Sequence, residues 1–321
     1  MPTNNRPSVL ENLLLKLNEQ LGKFEVIIVD DASEESTKKI VENCISRISY
    51  DLKYIKMKKQ VGLPSARNVG IKNSNYEFIG FLDDDCIPIR KDLIKRACRW
   101  LLSRNQKIVG VGGPIYFRST EPYKVSSLKF KDFLKFKKFF KLFVKRIDNY
   151  FFNRQKLMFV DVIPGGNSFF KKKYIELCNG YNPSYDGNFY AEETDFCLKI
   201  RKFGNLISDP KMPVNHLQVS YGGCRQKIEI YYQNLFSNII LLILNHKRIY
   251  FEVLIDIFRH IFYVFKMILI GMDNDSQKIN KIRLVKLLIY SIVDGIKKYY
   301  FQNKNHFQIL IEESIEFNHS I

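Results

Sequence analysis

The sequence contains no Cys-x-x-Cys pair, no long uncharged apolar run and no internal repeat, and each absence narrows what the chain can be. Cys44, Cys86, Cys98, Cys178, Cys197 and Cys224 are scattered without metal-ligand spacing. That argues against a zinc site and for separate reduced thiols rather than a disulfide framework. The polar start shows no apolar h-region, so no secretory signal is expected. The most apolar segment, residues 239–270, is interrupted by His246, Lys247, Arg248, Glu252, Asp256, Arg259 and Lys266. A membrane span needs about 20 mostly apolar residues, so no transmembrane helix is expected there. No nucleic-acid-binding module stands out, so no specific nucleic-acid partner is expected.

What is present is a 321-residue chain, 46% hydrophobic, with a formal charge of +18. That is enough apolar material for one large domain, or one domain plus an extension. The positive surface favours anionic partners such as membranes, nucleic acids or phosphorylated substrates.

Phe78-Ile79-Gly80-Phe81-Leu82 runs straight into Asp83-Asp84-Asp85. The short apolar run reads as a buried strand. Three adjacent carboxylates repel one another unless a positive charge sits among them. Side chains at i and i+2 of an extended segment point the same way, so Asp83 and Asp85 can face one point with Asp84 turned aside. Hard divalent cations take oxygen ligands and often bridge carboxylates to a substrate's phosphates. The triplet therefore reads either as a metal–diphosphate site or as a solvated acidic turn before Pro88.

The surrounding pattern alternates. Leu10, Leu13, Leu14, Leu17 and Leu21 recur at helical spacing, so residues 8–21 read as a helix, with Ser8 and Glu11 as its capping box. A strand over 24–29, a helix over 37–48, a strand over 52–57, a helix over 65–72 and the strand 77–82 follow. This order predicts a parallel, doubly wound α/β sheet, whose ligands bind beyond the carboxyl ends of its strands. Asp30, Asp31 and Asp83 to Asp85 all fall at such ends.

Further strands are expected over 107–111 and 159–163, a short helix over 171–178, and a helix over 192–202 that opens on Glu192-Glu193-Thr194-Asp195. Between them, in residues 129–156, Phe133, Phe136, Phe140 and Phe143 lie on one helical stripe with Lys131, Lys135, Lys138, Lys141 and Lys145 intervening. This basic amphipathic stretch suits an anionic bilayer surface, the alternative being a core-facing helix whose lysines are solvated. Beyond about Cys224 the chain reads as entirely helical, basic and aromatic. Two regions are expected: 1–224, with the basic insertion at about 125–158, and a helical, membrane-associated extension, 225–321.

Several segments follow one pattern in order. Pro2-Thr3-Asn4-Asn5-Arg6, Val29-Asp30-Asp31-Ala32-Ser33, Ala66-Arg67-Asn68-Val69-Gly70, Phe81-Leu82-Asp83-Asp84-Asp85, Gly165-Gly166-Asn167, the acidic block 192–195 and Val214-Asn215-His216 stand where such blocks are expected. Over about residues 2–222 the chain resembles the family 2 glycosyltransferases of the GT-A fold. The resemblance implies a Rossmann-like, mainly parallel sheet flanked by helices, and transfer of a sugar from a nucleotide-diphosphate sugar to a lipid-linked or polysaccharide acceptor. Pro2, Thr3, Asp31, Arg67, Asp84 and Asn167 would bind the nucleotide-sugar. Asp83, Asp85 and His216 would hold Mn²⁺ or Mg²⁺, which neutralises charge growing on the leaving nucleoside diphosphate.

In inverting members a carboxylate deprotonates the acceptor hydroxyl. Glu193 occupies that position, with Asp195 as the substitute. The alternative reading is that these acids only complement a helix dipole. A peripheral position on the cytoplasmic face of the cell membrane is expected, supported by the basic aromatic segment 129–156 and the helical tail. An inactive, glycosyltransferase-like binding or scaffold protein is the competing reading. Its support is that the family's opening apolar strand would lie ahead of Met1. Loss of that strand would expose strand edges, and a start codon assigned inside a longer frame is the favoured explanation.

Overall fold

The computed structural model describes residues 1–103, 107–117, 156–219, 221–224, 227–246, 281–302 and 314–319, with 257, 260, 261 and 264 between them. The phenylalanine–lysine stripe of residues 129–156 lies outside the described residues.

The first half alternates as the spacing predicts. Strand β1 (Pro2–Thr3) leads to helix α1 (Pro7–Leu17), β2 (Glu25–Asp30), α2 (Glu35–Ile45), β3 (Asp51–Met57), α3 (Leu63–Lys72) and β4 (Phe78–Leu82). Strands β1, β2 and β3 are parallel, with Pro2 opposite Val29 and Val29 opposite Ile55. Helix α1 begins at Pro7 and not at a Ser8 cap: Arg6 is its N-cap residue and makes no side-chain cap bond. Pro7 explains the difference, because its fixed φ and missing N–H suit the first helical position. Ser8 instead pairs with the Tyr221 hydroxyl at 3.0 Å.

The second half is mixed rather than parallel. It comprises β5 (Cys86–Pro88), α4 (Leu93–Leu102), β6 (Ile108–Gly112), β7 (Ile115–Phe117), β8 (Met158–Val160), β9 (Asn167–Lys171), α5 (Lys172–Leu177), α6 (Glu192–Ile200), β10 (Asn205–Ser208) and β11 (Val214–His216). Strand β9 inserts antiparallel between β4 and β6, while β10 runs parallel to β6 and antiparallel to β8. A small third sheet, in the order β5-β11-β7, carries the chain past the acidic triplet.

Beyond these lie α7 (Ile228–Asn245) and α8 (Lys281–Phe301), and the described residues 257, 260, 261 and 264 between them are also helical. Leu235, Ile239 and Leu242 of α7 are buried in the same cluster as Phe81 and Phe196. The expectation that 225–321 is wholly helical fails at its end. Ser314–His319 forms a strand, β12, antiparallel to β3. The run Ser-Ile-Glu-Phe-Asn-His alternates polar and apolar residues with the period of a strand. The basic and aromatic bulk before it hides that signal.

Strand β1 is only two residues long. The Met1 amine donates to the Ile27 carbonyl at 2.9 Å and the Met1 carbonyl accepts from Val29 at 2.9 Å, as ladder rungs do. Burial pushes that amine down to about 5, with the Arg67 charge adding to the effect. Ahead of these rungs, residues 25–27 of β2 and the outer edge of β4 face an apolar cavity of about 300 Å³, walled by Met1, Ile27, Ile79, Phe81 and Ile94. Among the described residues no strand pairs with β2 ahead of Ile27 on this side, nor with the outer edge of β4. Appending a five-residue apolar strand to Met1 is therefore expected to fill the slot and raise the melting temperature by roughly 3 °C, from about 2 kcal/mol of added burial. Differential scanning fluorimetry checks it, with an unchanged midpoint counting against a strand-shaped slot.

Candidate active site

The acidic triplet divides its three carboxylates between three tasks. Asp83 is the most accessible, with its side chain 34% exposed against 5% for Asp84 and 2% for Asp85. Asp84 points back to β1, accepting from Thr3 Oγ1 at 2.8 Å and from Arg6 Nη1 at 2.8 Å. Burial pushes its carboxyl up to about 6, against the pull of Arg6 and Thr3. Thr3 and Asp84 thus tie the β1 end to the β4 end; both are buried, as is Pro2.

Asp85 turns towards the third sheet. Pairing of β5 with β11 sets His216 opposite Cys86, and His216 Nε2 lies 3.1 Å from Asp85 Oδ1. Arg6 Nη1 reaches the other oxygen, Asp85 Oδ2, at 3.2 Å. Burial works against ionisation of Asp85, but the bond and charge of His216, with Arg6, outweigh it and lower its pKa. The imidazole shifts the opposite way: burial disfavours its charge, yet the bond to Asp85 and the nearby carboxylates raise its pKa.

Asp85, Cys86 and His216 each bring one ligand atom within 4.8 Å of the others. Asp83 joins this corner from the other side. A Cβ on Gly166 would meet Asp83 Oδ2 at 2.7 Å and Cys86 Sγ at 3.0 Å, so glycine keeps that space open. Burial and the three carboxylates push the Cys86 thiol far up. Asp83 and Asp85 offer carboxylate oxygens and His216 one imidazole nitrogen, with the Cys86 sulfur beside them. That donor set fits a hard divalent cation such as Mn²⁺ or Mg²⁺.

Arg67 links the triplet to the acidic helix. It sits on α3, whose start is fixed by Asp31. Asp31 accepts from the backbone N–H of Val61 at 2.6 Å and of Gly62 at 3.0 Å. Gly62 has φ of 85°, and a Cβ there would meet the Phe189 ring at 2.8 Å, so glycine is required. The guanidinium of Arg67 is buried over the Tyr181 ring, 5.0 Å from its centroid. Tyr181 stacks on Phe196 at 4.2 Å. One guanidinium nitrogen bonds Glu192 and the other lies 3.1 Å from Asp83 Oδ1. Burial raises the Glu192 carboxyl despite Arg67.

Phe189 (φ 57°) and Ala191 (φ 69°) are left-handed just before α6. Such residues cost of order 1 kcal/mol each and cluster at functional sites. They launch α6 with its first turn against the 164–167 loop. There the Gly165 N–H donates to Glu193 Oε2 at 2.6 Å. A Cβ on Gly165 would meet Glu193 Oε2 at 2.6 Å and Arg67 Nη2 at 2.8 Å. Gly165→Ala is thus expected to displace the carboxylate and cut turnover by roughly a hundredfold, the scale of a misplaced reacting group. Steady-state kinetics beside a melting curve checks this, since the fold itself should lose little.

Asp195 faces away from this corner. Its carboxylate lies 2.8 Å from His246 Nε2, at the end of α7, and 3.1 Å from Lys199 Nζ. Burial would raise its pKa, but Lys199 and His246 outweigh that and hold it at about 2. The unfolded value is about 3.9, so its stabilising effect is complete above that pH and is lost as pH falls towards the folded value. Asp195→Asn is expected to remove about 2 kcal/mol of pH dependence between pH 4 and 2, measured by urea unfolding.

Asn167 is fully buried and donates to the Met212 carbonyl at 2.7 Å. It lies beneath the loop as a strut, and contact with a nucleotide does not follow from this placement. Three residues matter beyond those expected from sequence. Arg6 bridges Asp84 and Asp85, Cys86 stands beside His216, and Glu192 holds Arg67. Arg6 is the last residue of the Pro-Thr-Asn-Asn-Arg block, which is the signal that points to it.

The profile described as Glycosyl transferase family 2 matches residues 1–176. Hyaluronan synthase of Pasteurella multocida is 36% identical over 89 residues, which cover 27% of this chain and 9% of that protein. Poly(ribitol-phosphate) beta-N-acetylglucosaminyltransferase TarS of Staphylococcus aureus is 32% identical over 122 residues, 35% of this chain and 21% of the relative. The chain thus matches only a small part of these relatives. In fold it is similar to S. aureus TarS 1-349 in complex with UDP-GlcNAc, with TM-score 0.60 and 17% identity over 93% of this chain and 80% of that one. It is also similar to the mannosyltransferase PcManGT from Pyrobaculum calidifontis in complex with GDP-Man and Mn²⁺. There the TM-score is 0.53 and the identity 13%, over 94% of this chain and 85% of that one.

Proposed function

The chain belongs to glycosyl transferase family 2, and from that premise we propose that it moves a sugar from a nucleoside-diphosphate sugar to a hydroxyl of a glycan or lipid-linked acceptor, with inversion and with a divalent cation. The observation that carries this reading is Glu193. Its carboxylate is held by the Gly165 N–H in the same corner as Asp83 and Arg67. As the acceptor oxygen attacks the anomeric carbon, Glu193 takes the hydroxyl proton. The new glycosidic bond forms while the bond to the diphosphate breaks, and the nucleoside diphosphate leaves with that electron pair. One displacement inverts the anomeric centre.

Arg67 keeps the two acidic walls of the site together through Asp83 and Glu192. Asp83, Asp85 and His216 would hold Mn²⁺ or Mg²⁺; the ion supplies positive charge to the departing diphosphate. Asp195 has no part in the proton transfer, because its carboxylate is engaged by His246 and Lys199. Glycan acceptors are supported by relatives named hyaluronan synthase and chondroitin synthase. The net charge of +18 supports work at the cytoplasmic face of an anionic membrane.

The test is nucleoside-diphosphate release from UDP- and GDP-sugars with Mn²⁺, with the product anomer read by NMR. Release that needs the cation and gives the inverted anomer is the expected result. No release from any donor, with or without an acceptor glycan, overturns the reading.

A further inference from the structure

Helix α8 is apolar on its outer face as well as its inner one. A surface helix normally turns its apolar stripe to the core and its polar face to water. The inner face of α8 packs on α7 through Leu284 and Leu288, beside Tyr232 and Phe236, and through small and polar groups. Gly295 lies so close that a Cβ would meet the Ser237 carbonyl at 2.6 Å. Ser237 Oγ donates to Asp294 at 2.6 Å, Lys298 Nζ lies 3.2 Å from the same carboxylate, and Gln302 donates to Asn245 at 2.9 Å.

The outer face is apolar. Ile282 is 72% exposed, Ile289 62%, Ile292 51%, Tyr300 76% and Phe301 84%. Of the twelve exposed positions from 282 to 301, nine are apolar or aromatic and three are basic: Arg283, Lys286 and Lys297. None is acidic, because Asp294, the helix's one acid, points inward.

We propose that this outer face of α8 docks on an anionic lipid bilayer, with the helix lying in the plane of the headgroup–acyl boundary. At 21 residues the helix is about 30 Å long, and an interfacial helix sinks its apolar face about 5–10 Å. The basic residues among the apolar ones are placed for anionic headgroups. A second copy of the chain is a poorer occupant, since it would bring like charges together across the contact. Among the described residues no helix is long and apolar enough to cross a membrane, so the contact is on the surface.

This inference deepens the membrane partner proposed above, and its test reads no catalysis, so either can fail without the other. The full-length chain is sedimented with vesicles of phosphatidylcholine alone and with phosphatidylglycerol added. Binding to the anionic vesicles is expected. Ile289→Glu with Ile292→Glu should weaken it by at least about tenfold while the melting temperature holds. Lys286→Glu with Lys297→Glu should abolish the preference for anionic lipid. Equal binding by the wild type and the isoleucine variant overturns the proposal. So does a wild-type dimer that the isoleucine variant dissociates, which would give the face to a second copy.

Discussion

Glu193→Gln is expected to lower turnover by about a thousandfold, within the range a general base contributes, while nucleotide-sugar affinity stays within about twofold. The amide keeps the size of the side chain and can still accept from the Gly165 N–H, now 2.6 Å from Oε2. What it loses is the ability to take a proton. The defect should therefore fall on kcat and spare KM. Asp195→Asn is the internal comparison. Its carboxylate lies against His246 and Lys199, so it should change stability at low pH far more than turnover. Single-turnover transfer with saturating donor separates the two variants. Near-normal turnover in Glu193→Gln would remove Glu193 from the reaction.

Arg67→Met should have the largest effect on stability. The guanidinium is buried and sits between Glu192 and Asp83. Removing it leaves two carboxylates close together with no cation, and breaking such a buried pair costs about 3–5 kcal/mol. The double variant Arg67→Met with Glu192→Gln should recover part of that loss, because the amide can be buried neutral. Urea denaturation of the wild type, both single variants and the double variant gives the coupling directly. A single-variant cost below about 1 kcal/mol would mean that Arg67 is not the link between the two acidic walls.

Much of this arrangement is legible in the sequence, for identifiable reasons. The leucine spacing of α1 and the apolar runs of β2 and β4 reflect burial on one face, which periodicity reports. Placement of Asp31 and the acidic triplet at strand ends follows from the alternation itself. What the sequence hides is partner choice. Nothing in the spacing of Asp83, Asp84 and Asp85 says that Asp84 would turn back to Thr3 and Arg6, because those contacts span about eighty positions. Division of labour within residues 192–195 is equally long-range. Gly165 picks out Glu193, Arg67 picks out Glu192, and His246 takes Asp195. Strand β9 escapes a local reading too, since its antiparallel entry between β4 and β6 is set by sheet pairing. The apolar outer face of α8 reads as ordinary core-facing helix until its inner face is seen packed on α7.

The central claim is that a nucleoside diphosphate and a divalent cation meet at Asp83, Asp85 and His216. The most direct test is calorimetric titration of UDP and GDP into the full-length chain with Mn²⁺, without Mn²⁺, and into Asp85→Ala with Mn²⁺. Binding of one nucleotide that needs the cation, weakened at least tenfold in Asp85→Ala, is the predicted result. Equal affinity in the absence of Mn²⁺ and in Asp85→Ala, or no binding of either nucleotide, would contradict it.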